Sequence, residues 1–164
     1  MRPLGEGEIR ESFVNATPLE LEQLELPIEH LLLEWDHVDA LAWRDRRFRN
    51  RGYLVTIVGD DPVGLVLRAA DGGGSRFRAS ICNLCHTQQP GDQVTMFTAR
   101  RIGEAGRRGD TVGTYVCADL SCQENVRLHP PLAPAEVRRL TEEMRVAGLR
   151  RRTLAFVEGV LEAA

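Results

Sequence analysis

The chain has 164 residues, 43% of them hydrophobic, and a formal net charge of −3, which is enough apolar material for one core and a small satellite. No apolar run approaches the ~18 residues of a membrane span. The start MRPLGEGEIRESF also lacks the basic segment and apolar stretch of an export signal, so a cytoplasmic chain without membrane contact is expected.

Charge is unevenly spread. Residues 1–43 carry ten acidic and two basic groups, residues 44–128 nine and thirteen, and the remainder five and six, so the middle is the basic part. All 21 basic residues are arginine. A GC-rich genome accounts for that preference, and the planar guanidinium still suits phosphate and carboxylate. A sequence pI near 5.8 speaks against an indiscriminate nucleic-acid binder.

In chain order, residues 1–16 show no strong period and are expected to form a loose arm. Thr17-Pro18-Leu19-Glu20 then has the form of a helix start: a Thr cap, Pro at the first helical position and Glu three residues on to reach back. Pro27 ends or kinks that helix. Residues 28–43 place Leu31, Leu32, Trp35, Val38 and Leu41 near one face, the spacing of an amphipathic helix, with Trp35 and Trp43 as packing residues. Residues 45–51 are a basic turn. Residues 53–58 and 63–68 are β-rich runs separated by Gly59-Asp60-Asp61-Pro62, which is hairpin chemistry. The glycines at 72–74 lack the Lys and Ser or Thr of a phosphate loop. Residues 76–81 are expected as a third strand running into the first cysteine.

All four cysteines follow, as Cys82-x2-Cys85 and Cys117-x4-Cys122. Four thiolates at these spacings suit Zn²⁺, which takes four soft ligands tetrahedrally at about 2.3 Å, each pair presented by a short turn. Cys82-Asn83-Leu84-Cys85-His86 also spells the c-type haem attachment pattern, with Met96 conceivable as an axial ligand, but that reading leaves Cys117 and Cys122 unemployed. Disulfides fit poorly with a reducing compartment, and a redox C-x-x-C lacks its βαβ context. With four protein ligands the ion holds the fold together and leaves no open position for a substrate, and His86 is a neighbour of the site, not a ligand.

Residues 93–98 and 113–116 read as a hairpin around a Gly-rich, arginine-paired loop, and Asp119 or Ser121 can cap a short helix carrying Cys122 in its first turn. A knuckle, a hairpin and a helix that supplies the last ligand make a treble clef. The hairpin loop is the expected contact surface, adaptable because it is Gly-rich, with Arg100, Arg101, Arg107 and Arg108 as its charged part and Met96, Phe97 and Tyr115 as anchors. Residues 129–134 form a stiff Pro-rich linker. A helix from Pro134 to about residue 146, a break near Gly148 and a second helix over 149–161 complete the chain.

Fold class is therefore α+β: a small antiparallel sheet with a treble-clef zinc finger, flanked by N-terminal and C-terminal helices. The expected divisions are 1–43 for the arm and first helices, 44–128 for the β-rich metal domain and 129–164 for helices packed on it. No paired carboxylates, Ser/His/Asp set or open metal position can be picked out, and His30, His37, His86 and His129 each stand singly, so neither an enzyme nor a small-molecule substrate is expected.

From about Trp35 onward the chain resembles the C-terminal treble-clef zinc-finger family of the elongation factor G-binding proteins, which include the fusidic-acid-resistance proteins. The resemblance rests on Leu41-Ala42-Trp43-Arg44-Asp45, Gly52-Tyr53, Cys82-x2-Cys85 and Thr111-Val112-Gly113-Thr114-Tyr115-Val116-Cys117-x4-Cys122. It implies a non-enzymatic translation factor that binds elongation factor G on the ribosome through its zinc domain, as the resistance proteins do in releasing a drug-stalled factor. Those proteins carry a larger N-terminal helical domain than the residues ahead of Trp43 provide here. A second reading from the residues themselves is an RNA-binding or ribosome-binding zinc ribbon that sets its arginine pairs on phosphate.

Overall fold

The computed structural model describes residues 1–72, 74–128 and 134–162. Its centre is a five-stranded antiparallel sheet in the order β1 (Leu41–Arg44), β2 (Arg51–Val58), β3 (Asp61–Ala69), β6 (Val94–Arg100) and β7 (Thr111–Cys117). The missing numbers, β4 (Ala79–Ile81) and β5 (Gln88–Pro90), form a separate two-stranded ribbon between β3 and β6 in sequence. The third expected strand is thus shorter than residues 76–81 and stands apart from the main sheet. The β2–β3 hairpin closes on a two-residue turn, with Val58 opposite Asp61 and Gly59 at φ 63°, a left-handed position that glycine takes without strain.

Both faces of the sheet are covered, and strand alternation sorts the side chains between them. Tyr53, Val55 and Val66 face an N-terminal layer with Leu4, Ile9, Phe13 and Trp43. Leu54, Leu65 and Leu67 face the cysteines and the C-terminal helix with Phe156, Val157 and Val160.

The expected loose arm is an ordered layer. Helix α1 (Glu6–Glu11) buries Ile9. Phe13 meets Trp43 and Tyr53 edge-on at ring-centroid distances of 6.3 and 5.7 Å. Beyond it, Val14 N donates to the Gly64 carbonyl at 3.0 Å and Gly64 N to the Ser12 carbonyl at 2.9 Å. A Cβ on Gly64 would lie 2.6 Å from Ser12 Oγ, so the close approach requires glycine there. Asn15 then works as a backbone surrogate: its Oδ1 accepts from Val66 N at 2.8 Å, and its Nδ2 donates to the carbonyls of Val66 and Arg100, both at 3.1 Å. Because β3 pairs with β6 only over Leu67 to Ala69, the Asn15 amide fills the gap where those strands part.

Helix α2 (Pro18–Glu22) has the expected reciprocal cap, Thr17 Oγ1 accepting from Glu20 N at 3.3 Å and Glu20 Oε2 from Thr17 N at 2.8 Å. The helix expected over 28–43 is instead two 3₁₀ turns, Ile28–Leu32 and Trp35–His37, followed by β1. Leu31 and Leu32 are 83% and 82% exposed, whereas Val38 and Leu41 of the same run are buried, so the positions read as one helical face do not share a face. The boundary drawn at residue 43 falls within β1.

Helix α5 (Ala135–Leu161) is continuous, with Pro134 at its N-cap. It does not break at Gly148. That glycine lies inside the helix, where a Cβ would come within 2.8 Å of the Arg152 guanidinium. The cost of about 1 kcal/mol for glycine in a helix goes with room for that arginine. Most of the expected linker, residues 129–133, lies outside the described residues.

Candidate metal centre

The four cysteines come together from four local devices. Cys82 and Cys85 sit on a knuckle closed by Cys82 N to the Thr87 carbonyl at 3.2 Å and His86 N to the Cys82 carbonyl at 2.9 Å, with His86 in the left-handed region at φ 57°. Cys117 is the last residue of β7, held in register opposite Val94. A turn through Leu120, also left-handed at φ 65°, brings the chain round to helix α4 (Cys122–Asn125), whose first residue is the fourth cysteine. Asp119 Oδ1 fixes that turn by accepting from Ser121 N and Oγ at 3.0 and 2.6 Å. Ser121 holds the N-cap position without a side-chain cap bond of its own.

All four sulfurs are buried and lie within 4.8 Å of one another, with Cys82 to Cys122 and Cys85 to Cys117 each at 3.5 Å. A tetrahedron with 2.3 Å metal–sulfur bonds has edges of about 3.8 Å, which falls between the shortest of these separations and their 4.8 Å limit, so the donor set has the size that one ion needs. Hydrogen bonds from Cys117 first, then Cys122, pull Cys82 down to about 7 and hold Cys85 well below the usual thiol range. The complementary bond to Cys117 pushes Cys122 far above it. Four thiolates at this spacing need a cation at their centre. His86 is exposed and outside the cluster, as expected for a neighbour.

The surrounding groups are built for thiolate. Leu84 N and Cys85 N both reach Cys82 Sγ at 3.4 Å, and the amides of Gln89 and Asn125 donate to Cys117 Sγ at 3.1 and 3.4 Å. Such outer bonds orient ligands and moderate their charge. From α5, Arg152 Nε donates to the Leu84 carbonyl at 2.6 Å, and Arg145 bonds Thr87 Oγ1 at 3.2 Å and the Asn125 carbonyl at 2.6 Å. Burial lowers the Arg152 pKa, while the nearby thiolates act to keep its charge. Asn125, one helical turn after Cys122, was findable from spacing. Arg145 and Arg152 were not, since nothing local ties them to a knuckle some sixty residues earlier.

The expected contact residues separate. Phe97 is fully buried in the metal-side core. Arg100 turns back to the Asn15 carbonyl at 2.8 Å and Arg101 to the Gly159 carbonyl at 2.6 Å. Arg107 and Arg108 are exposed at the hairpin tip, with Arg107 paired to Glu104 at 2.6 Å. Met96 and Tyr115 are cross-strand partners, four residues from the tip end of the register and so about 13 Å away along the strands. The loop is not an open, adaptable one: it contains helix α3 (Gly103–Arg107), and a Cβ on Gly106 would collide with the Arg101 carbonyl at 1.7 Å. Its glycines permit close packing and left-handed turns. Among the described residues no helix is long and apolar enough to cross a membrane.

A search of curated proteins finds none that matches. Among solved structures, a fusidic acid resistance protein, FusC, superposes with a TM-score of 0.55 at 17% identity, over 76% of this chain and 53% of that one. The chain thus spans about half the length of that protein, and at this identity the likeness is one of fold. The sequence model described as FBP C-terminal treble-clef zinc-finger matches residues 8–160. With the knuckle, the β6–β7 hairpin and a helix opening on Cys122 all in place around one buried four-cysteine cluster, the chain belongs to the FBP C-terminal treble-clef zinc-finger family.

Proposed function

We propose that this chain is a non-enzymatic, zinc-bearing factor that binds translation elongation factor G at the ribosome, in the cytoplasm, and promotes its release. The observation that carries the reading is the closed metal centre. Four buried cysteines fill every corner of the tetrahedron, and zinc is the ion that such a set holds. An ion without an open position does no Lewis-acid chemistry on a substrate, so its work is to hold a surface in shape. The partner follows from the family and from the resemblance carried by residues 41–45, 52–53 and 111–122. The name of the structural neighbour, a fusidic acid resistance protein, supports the same line.

The contact surface has two parts. Beside the knuckle, half-buried Met96 and exposed Tyr115 lie near exposed Ile81. An aromatic with apolar neighbours on a metal-fixed base has the character of an interface anchor. At the hairpin tip, Arg107 and Arg108 supply charge. Phe97 belongs to the metal-side core, and Arg100 and Arg101 turn to the Asn15 and Gly159 carbonyls.

The test is a calorimetric titration of the zinc-loaded chain into purified elongation factor G. Saturable one-to-one binding that persists at physiological salt is expected, with Arg107→Ala and Arg108→Ala together weakening it by about 1–3 kcal/mol at unchanged melting temperature and zinc content. Capture of ribosomal RNA in place of the factor, with affinity falling steeply as salt rises, would replace this reading by phosphate recognition through the arginine pairs.

A further inference from the structure

A cavity of about 320 Å³ lies between the β1 end of the sheet and the metal-bearing elements, with Ala42, Arg44, Leu54, Phe97, Leu120 and Thr153 among its walls. That volume is at the lower end of the roughly 300–1,000 Å³ of small-molecule sites. The walls are mainly apolar, yet two of these residues carry buried polar atoms without a partner, Arg44 Nη1 and Thr153 Oγ1. Thr153 is 2% exposed. Buried donors and acceptors are nearly always paired, so two orphans on one cavity wall call for an explanation.

The motif around Arg44 sharpens the point. Trp43 packs against Tyr53 and donates Nε1–H to the Glu25 carbonyl at 3.0 Å. Asp45 accepts the Tyr53 hydroxyl at 2.6 Å, and a Cβ on Gly52 would meet Leu120 at 2.9 Å. Each of these has a structural task. Arg44 sits 5.0 Å from the Phe97 ring centroid and gives Nη2 to the Arg49 carbonyl, which leaves Nη1 over. Asp119, also on the wall, spends Oδ1 on Ser121 and its charge acts on Arg44, yet among the described residues no acceptor reaches Nη1.

We infer that the cavity binds a small apolar carboxylate, its hydrocarbon body against the aliphatic walls and its carboxylate accepting from Arg44 Nη1, with the Thr153 hydroxyl as the other polar point of the site. The site is distinct from the proposed contact surface, and the inference does not depend on the elongation-factor reading.

The test uses the full-length, metal-loaded chain with octanoate and 1-octanol as probes, followed by calorimetry and melting temperature. Octanoate is expected to bind saturably at one site and about tenfold tighter than octanol, the margin of a hydrogen bond to a charged group. Arg44→Gln should remove that margin and leave octanol unchanged, and Ala42→Leu, which fills the cavity, should weaken both. If Arg44→Gln loses its metal or its fold, Ala42→Leu decides alone. Absence of saturable octanoate binding, no preference over octanol, or undiminished binding by Ala42→Leu overturns the assignment.

Discussion

The two faces of the sheet are held by opposite means. On the metal face, two chain segments some thirty residues apart converge on a single point, and α5 clamps the result through Arg145 and Arg152. On the N-terminal face there is no such centre. Helices of six and five residues, too short to persist alone, are pinned one by one: Phe13 between two aromatic rings, Asn15 into the strand gap, Trp43 to the Glu25 carbonyl. One face is expected to fail as a unit if its metal is removed. The other loses stability in separable steps.

The largest expected effect comes from Cys122→Ser. Structural zinc contributes on the order of 10 kcal/mol, comparable to a domain's whole net stability, so the variant should lack metal by elemental analysis and lose its far-ultraviolet dichroism. Since both faces share five strands, the near-ultraviolet aromatic signal of Trp43 and Tyr53 should vanish with it. Its survival would mean that the faces are independent. Trp43→Ala should cost about 3–5 kcal/mol in denaturant unfolding at full metal content, and metal loss there would erase the proposed division. Asn15→Ala strands the Val66 amide and should cost about 1–3 kcal/mol.

A pH effect follows on the same face. Burial first, then the bond to Asp45, raises the Tyr53 pKa from 10.0 to about 12. A folded value above the unfolded one means that the neutral phenol's contribution is complete below pH 10 and is lost as pH rises from 10 to 12. Absorbance titration near 295 nm should show a late component that Tyr53→Phe removes, with a shallower alkaline loss of stability. The smallest effect belongs to His86→Ala, which should leave metal stoichiometry unchanged. A drop would make the histidine part of the site.

This contrast also governs what the sequence discloses. Cysteine spacing is local and chemically specific, so the knuckle, the four-cysteine cluster and the treble clef can be read directly, as can the Thr17 to Glu20 cap. The N-terminal layer cannot. Ser12 to Val14 gain their structure from the free edge of β3, a partner fifty residues away, and Leu31 and Leu32 imitate a helical period while pointing to solvent. Gly148 reads as a helix break, yet the helix runs through it with the Arg152 guanidinium close to its open face. Gly103, Gly106 and Gly109 likewise suggest a supple loop where the chain is tightly wound. Arg100 and Arg101 look like surface charge until the carbonyls that take them are located.

Consider finally the order in which the chain is made. Every described strand, all four cysteines and the knuckle precede residue 123, while the arginine that spans to the Leu84 carbonyl is residue 152. During synthesis, which proceeds at about 5–20 residues per second, the thiol cluster therefore emerges uncovered and stays so until the last helix leaves the ribosome. Helix α5 then lies over the knuckle, reaching the Leu84 carbonyl with Arg152 and Thr87 with Arg145.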